Sequence, residues 1–314
     1  MTSVVNTTGF NYCIEGQNVL IGETIEVSDA VAIQLCHSGW TLASGDSTGP
    51  YGLIRGSGIT LRPTGLRGVI DEVEQLFHPI ERYIDTIESL PAAPTHAFVY
   101  GANLDLPMCG NDKLGDCTFA GWYHGAQISA EIAQVKYGFS ADQVGPTYTK
   151  YGNGADNGFM LSQILKWASV PGGLMDFEII GAATIDITND DLVKRCIYNF
   201  GWIYTALNLP ESAETDFARR LPWRVSNPPG SPIGGHCVVD NGVDAVDSVP
   251  TEGLTGYDTV SWGDDIFMTT DFFKTYCTQA YVCLPKWYID SGHDAIGDIN
   301  VELWKQDMIE INNS

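Results

Sequence analysis

The chain has 314 residues, 44% of them hydrophobic and 18% charged, which is enough to form one larger globular domain and a smaller additional module. Its 16 Lys and Arg against 39 Asp and Glu give a formal net charge of −23. This charge repels phosphate backbones and anionic lipids, so neither nucleic acid nor a membrane is expected as a partner. The sequence shows no membrane-length apolar run and no recognisable signal peptide, so we expect synthesis in the cytoplasm.

Residues 1–65 are predicted to form a small β-rich attachment or interaction module. The segment "NVLIGETIEVSDAVAIQL" alternates apolar and polar residues around Gly22, which is typical of a β-hairpin. Residues 66–94 are predicted to form a helical arm and a Pro-rich linker, because apolar residues recur every three or four positions from Leu66 to Leu90. Pro79 predicts a kink there. The arm would be either an amphipathic helix packed on its own domain or an oligomerising stalk.

Residues 95–290 are predicted to form an α+β domain. Helices are expected from Cys117 to a stop at Gly138, over "GFMLSQILKWASV" and over "DDLVKRCIYNFG". Strands are expected afterwards over "WIYTALNL", "GGHCVVDNGVD" and "DTVSWG". This order favours helices segregated from an antiparallel sheet rather than alternating βαβ units. Residues 291–314 are predicted to form an acidic tail or helix.

The segment "CGNDKLGDCTFAGW", Cys109 to Trp122, carries the strongest chemical signal. Cys117 stands at the start of a predicted helix, where the dipole and the N–H groups of the first turn lower the pKa of a thiol. The backbone N–H of Cys117 and the side-chain amide of Asn111 are suited to bind an oxyanion. His236 begins an apolar strand in the second half of the chain, from which a His reaches back to a Cys on an early helix.

These segments, in this order, resemble the papain-like cysteine peptidases over residues 95–285. The stretch from Asn111 to Cys117 resembles the one that joins the family's oxyanion amide to its nucleophile, and "GGHCVVDNGVD" resembles the strand of the catalytic His. "SWG" at 261–263 resembles the Ser-Trp-Gly that follows the catalytic Asn, and "DNGF" at 156–159 resembles a cleft segment. The "GDC…GGH…WG" arrangement is similar to that of divergent bacterial and phage members.

The resemblance implies a papain-like fold, with an N-terminal helical half and a C-terminal β half, and no cofactor or metal. It implies acyl transfer by a peptidase or amidase, with a Cys117 thiolate as nucleophile, His236 as general base and acid, and Asn111 as oxyanion donor. It also implies that the substrate cleft is lined by Asp156, Asn157, Gly158 and Trp262.

Two positions depart from the family pattern. Asn111 stands where the family has Gln, so its side chain is one methylene shorter. Val260 stands where the family has the Asn that orients the His, and Val forms no side-chain hydrogen bond. The third member of the triad is therefore left open among Asp240, Asp258 and Asp264.

Other thiols and imidazoles have simpler interpretations. None of the eight cysteines forms a C-x-x-C pair, and most are expected to be small buried hydrophobes. Cys109 is expected to be a bystander or, alternatively, a redox partner of Cys117. A zinc site of Cys109, Cys117 and His236 lacks the usual ligand spacing. His124 is expected to be a packed or surface residue.

Two classes of function follow. The first is an active cysteine hydrolase acting on a peptide-like substrate, carried or not on a larger assembly such as a phage particle. The second is a non-catalytic structural or decoration protein of a phage virion, built on a degenerate papain-like fold. The second is favoured by Val260, by the acidic surface and by "GETIEVSDAVAIQLCHSGW", which is similar to small modules of tailed-phage virion proteins. On a virion, residues 1–94 would make the protein contacts, as a homotrimer or with a capsid or tail.

Overall fold

The computed structural model describes residues 76–244, 253–292 and 298–313 and, nearer the N-terminus, the backbone of short strands between residues 2 and 42. The chain divides into two compact units, Met1–Leu61 and Arg62–Ser314. In the first unit, β1 pairs antiparallel with β4 and β5, and β2 pairs antiparallel with β3. These strands are β1 (Thr2–Val5), β2 (Tyr12–Ile14), β3 (Gln17–Val19), β4 (Thr24–Val27) and β5 (Thr41–Leu42).

The hairpin predicted around Gly22 is wrong. The strands on its two sides, β3 and β4, pair with β2 and β1 rather than with each other. Alternation of apolar and polar residues indicates which residues share a face of a strand, but it does not determine the partner strand. The role of residues 1–65 in attachment stays a prediction.

Seven strands of the described part of the second unit form one sheet, in which every pairing is antiparallel. The order across the sheet is β11, β10, β9, β8, β12, β7, and β6 pairs with β9. The predicted α+β class is thus confirmed. The strands are β6 (Phe98–Val99), β7 (Ile179–Thr184), β8 (Ile203–Pro210), β9 (Pro232–Val243), β10 (Gly256–Ser261), β11 (Asp264–Thr269) and β12 (Cys277–Pro285).

The helix that starts at Cys117 is buried around nearly its whole circumference. It packs closely on β9 and on Trp202, the residue before β8, because two of its residues are glycines. A Cβ at Gly121 would lie 3.2 Å from Cys237 Sγ, and one at Gly125 would lie 2.6 Å from the Trp202 ring. The helices are α1 (Cys117–Ala133), α2 (Val144–Tyr151), α3 (Leu161–Ala168), α4 (Asp190–Phe200), α5 (Glu211–Ala218), α6 (Thr270–Tyr276), α7 (Lys286–Asp290) and α8 (Val301–Asn313). No helix in the described residues is long and apolar enough to cross a membrane.

The predicted helical arm is wrong for residues 76–90, while residues 66–75 lie outside the described residues. Two separate 3-10 turns, Ile80–Arg82 and Ile87–Ser89, stand where one helix was expected. Proline at 79 cannot donate a helical hydrogen bond, and this residue instead forms a β-bridge with Thr184 of β7. The regularly spaced apolar side chains, among them Ile80, Tyr83 and Leu90, are buried in the main hydrophobic core even though the segment is not one helix.

The C-terminal segment is a packed helix rather than a free tail. Trp304 of α8 is fully buried and stacks on Tyr83, with ring centroids 4.7 Å apart. The Asp307 carboxylate accepts hydrogen bonds from Arg82 Nε at 2.6 Å and from Tyr83 OH at 2.9 Å. Residues on both sides of the predicted 95–290 domain therefore share its hydrophobic core.

Candidate active site

The loop that leads to Cys117 is held by a carboxylate. The backbone N–H of Gly115 donates to Asp156 Oδ1 at 2.9 Å, and the Tyr148 hydroxyl donates to the same oxygen. Tyr148 in turn accepts a hydrogen bond from the Gly158 N–H at 3.0 Å. The segment predicted to line a substrate cleft thus braces the loop before Cys117, with Gly158 buried and Asn157 exposed.

Cys117 is the first residue of α1 and is 1% exposed. The start of α1 packs on the central strands, because the Tyr204 hydroxyl of β8 donates to the Thr118 carbonyl. Cys117 also lies close to Cys237 of β9. Burial raises the pKa of the Cys237 thiol, and the nearby Cys117 raises it further. The structure therefore brings Cys117 to the strand on which His236 precedes Cys237.

His236 is fully buried and is held on two sides. Its Nε2 lies 2.8 Å from the Ser261 hydroxyl oxygen, and its ring stacks on Trp262 with centroids 4.4 Å apart and planes 25° apart. Trp262 and Gly263 form the two-residue loop between the paired residues Ser261 and Asp264. Both have positive φ, 49° and 72°, as a type I′ hairpin turn requires.

The sequence prediction missed Ser261, and strand alternation explains why it meets His236. On β9, His236 and Asp240 lie on one face, since successive side chains alternate. On β10, Thr259 lies opposite Asp240, so Ser261 shares that face while Val260 points to the other. Position 260, where the family pattern places the orienting residue, therefore projects away from the imidazole.

Two of the carboxylates considered for the third position have other partners. Asp240 accepts hydrogen bonds from Thr205 at 2.6 Å and Thr259 at 2.7 Å, and burial raises its pKa to about 7. Asp264 forms an ion pair with Arg220 at 2.9 Å. The third candidate, Asp258, is paired with Gly242 near the far end of β9. The observed contact at His236 Nε2 is instead with a neutral hydroxyl.

Asn111, the predicted oxyanion donor, is 2% exposed and turns toward its own loop. Its Nδ2 donates to the Leu114 carbonyl at 3.2 Å. It also lies near the carboxyl of Asp116, where burial raises the pKa to about 7 although the Asn111 amide acts in the opposite direction. No hydrogen bond of good geometry reaches either Asp116 oxygen from the described residues. Asn111 thus braces the loop, and its oxyanion role stays a prediction.

Cys109 and His124 form a separate contact, with Sγ and Nε2 3.9 Å apart. His124 Nε2 donates to the Pro107 carbonyl at 2.8 Å, and burial lowers the pKa of this imidazole to about 4, so His124 is packed and neutral. Burial, with Asp116 nearby, raises the pKa of the Cys109 thiol to about 12. Cys109 lines a surface cavity of about 810 Å³ between the loop and the start of α2, which Met108, Leu114 and Pro146 also line.

No group of three or more His, Cys, Asp or Glu side chains within residues 76–244, 253–292 and 298–313 is arranged to hold a metal ion. The thiols at 109, 117, 196, 237, 277 and 283 are all buried and outside disulfides.

Comparison with known proteins gives distant structural likenesses. No protein-family model and no curated protein matches the sequence. The solved structure of xylellain, a cysteine protease from Xylella fastidiosa, aligns with 73% of this chain and 99% of its own, at 14% identity and a TM-score of 0.48. Procathepsin B S9 from Trypanosoma congolense aligns with 72% of this chain and 87% of its own, at 11% identity and a TM-score of 0.46. Likenesses at this level concern the course of the backbone and say nothing of activity.

Proposed function

We propose that this protein is a papain-like cysteine hydrolase, a peptidase or amidase that transfers the acyl group of a peptide-like substrate to Cys117. The observation that carries the proposal is the fixed imidazole of His236, held by Ser261 and Trp262 on the strand next to the helix start that bears Cys117. The order and spacing of the sequence segments that resemble the papain-like peptidases support it as well.

The proposed chemistry needs no group outside the chain except water. The Cys117 thiol gives its proton to His236, and the thiolate attacks the carbonyl carbon. The resulting oxyanion is bound by N–H groups of the first turn of α1, which have no acceptor within the helix. Collapse breaks the C–N bond, and His236 protonates the leaving amine. Water then gives a proton to His236 and cleaves the thioester, which releases the acid and restores the thiol.

The other buried thiols of the described residues are internal controls for the reactivity of Cys117. Burial raises the pKa of the thiols at 109, 196, 237, 277 and 283, so these groups stay protonated near neutral pH. A thiol reacts with alkylating agents as the thiolate. Cys117 stands at a helix N-terminus, near the strand that carries His236, and is therefore the described thiol that we expect to react first.

Limiting iodoacetamide added to the native protein at neutral pH tests this proposal. We expect peptide mapping to find the label on Cys117, at least about tenfold above the other described thiols, because the thiolate fraction controls the rate. His236→Ala is expected to remove that preference. His96→Ala, which removes an exposed imidazole in a loop, is the matched control and should leave it unchanged.

Equal labelling of Cys117 and the other buried thiols in the folded protein would contradict the hydrolase. So would preferential labelling of Cys117 that persists unchanged in His236→Ala, because the imidazole would then have no part in forming the thiolate.

One observation favours the second candidate, a non-catalytic component of a larger assembly. Cys117 is 1% exposed and His236 is 0% exposed, so a substrate needs local opening to reach them. Under this proposal the two residues are core members of a degenerate papain-like domain, and Cys117 stays unlabelled. The larger assembly under this proposal could be a phage virion. Light scattering after size exclusion tests whether the chain self-associates: we expect an oligomer for the full chain if residues 1–94 mediate the assembly.

A further inference from the structure

We propose that Ser261 is the positioning residue of His236, taking the place that an amide has in the family pattern. The proposal rests on the proposed function, since it concerns the imidazole that serves Cys117. It is carried by the 2.8 Å contact between Ser261 Oγ and His236 Nε2, in a site where Ser261 is 3% exposed and His236 is 0% exposed.

The hydroxyl is carried by a rigid part of the fold. Ser261 is the last residue of β10, and its partner across the tight turn is Asp264 of β11. The turn residue Trp262 is fixed by ring contacts with Phe217 and Trp223, at centroid distances of 5.0 and 6.0 Å. The position of the hydroxyl is therefore set by the hairpin rather than by a mobile loop.

The other turn residue joins this hairpin to the nucleophile side of the site. Gly263 has a φ of 72°, and a Cβ there would lie 2.7 Å from the backbone N of Met108. The hairpin thus rests directly on the chain that leads into the Cys117 loop. A side chain at 263 would force the two apart and move Ser261 with the hairpin.

The chemistry follows from which ring nitrogen the hydroxyl takes. A serine hydroxyl can donate or accept a hydrogen bond, and the proposal assigns Ser261 Oγ as the acceptor of a proton on Nε2. With Nε2 protonated, Nδ1 is the nitrogen that exchanges a proton with Cys117 and with the leaving amine. Nε2–H remains bonded to Ser261 in both the neutral and the protonated ring. Because the hydroxyl carries no charge, it orients the imidazole without the strong bias toward the protonated ring that a carboxylate gives.

The test compares Ser261→Ala with Ser261→Thr, which keeps the hydroxyl. We expect Ser261→Ala to lower kcat/KM about tenfold, mainly in kcat, since a neutral hydrogen bond to a buried group is lost. Ser261→Thr is expected to recover most of that loss. Nitrogen-15 NMR of labelled histidine provides a second measurement that needs no turnover: wild-type His236 should carry its neutral-state proton on Nε2, and Ser261→Ala should shift it toward a mixture.

The outcomes separate this proposal from the hydrolase itself. Turnover in wild type with an unchanged kcat in folded Ser261→Ala would overturn the role of Ser261, and so would a neutral wild-type His236 protonated on Nδ1. A wild type that neither turns over peptides nor labels at Cys117, yet shows Nε2 protonation that depends on Ser261, would support the contact and contradict the hydrolase alone.

Discussion

Replacement of Cys117 by alanine is expected to abolish hydrolysis of any peptide or amide that the wild-type protein cleaves. The expected fall in kcat is at least about 10³-fold, since the loss of a covalent nucleophile leaves the residual catalysis of substrate binding and of the oxyanion donors. The fold should persist, because the change removes one small side-chain atom. Release of a fluorophore from a library of peptide amides, followed by circular dichroism of both proteins, measures the two quantities.

Cys109→Ala is the matched control for that experiment. Cys109 lies in the same loop and is also buried, but burial holds its thiol protonated and its contact is with His124. We expect it to keep activity within a few-fold of wild type. Loss of activity in Cys109→Ala with retention in Cys117→Ala would reverse the assignment of the nucleophile.

Local signals in the sequence predicted the elements that carry the site. Helix α1 begins at Cys117, as predicted, and ends at Ala133, before the stop expected at Gly138. Strands β8, β9 and β10 lie where alternating and apolar runs placed them. Helix α4 lies within the predicted segment "DDLVKRCIYNFG" and begins after Asn189, whose side chain accepts a hydrogen bond from the Leu192 N–H. Each of these signals depends on neighbours within a few residues.

The partner of His236 depends on register, which local signals do not contain. The β9 and β10 pairing shifts between Asp258 and Thr259, so which residues of β10 face the imidazole follows from an irregularity in the sheet. The motif comparison placed the orienting residue at 260 and therefore missed Ser261. The error over residues 76–90 has a similar origin, since helical spacing of apolar residues also suits turns that pack against a sheet edge.

Asp116, the residue before Cys117, has a buried carboxyl that is expected to have a large effect on folding stability. We expect Asp116→Asn to be more stable than wild type at pH 8. Burial, with Asp112 and Asp156 nearby, raises the pKa of Asp116 from 3.8 to about 7. A group whose pKa is higher in the folded state stabilises the fold at low pH, and this stability is lost as the pH rises through about 7. Since one pH unit corresponds to about 1.4 kcal/mol, wild type loses up to about 4 kcal/mol between pH 4 and 8 through this group.

Asparagine copies the shape of the protonated acid but does not ionise, so the difference in the free energy of unfolding between variant and wild type should grow by roughly 3 to 4 kcal/mol from pH 4 to pH 8. Urea unfolding of both proteins at several pH values measures this difference, and the titration of Asp240 cancels because both proteins contain it.

Asp112→Asn is the control, because it removes an exposed carboxyl from the same loop. If the difference in the free energy of unfolding between Asp112→Asn and wild type grows by the same amount with pH, the effect comes from net charge rather than from burial of Asp116. A pH-independent difference for Asp116→Asn would mean that the folded protein ionises Asp116 at no cost, which requires a partner for its carboxylate.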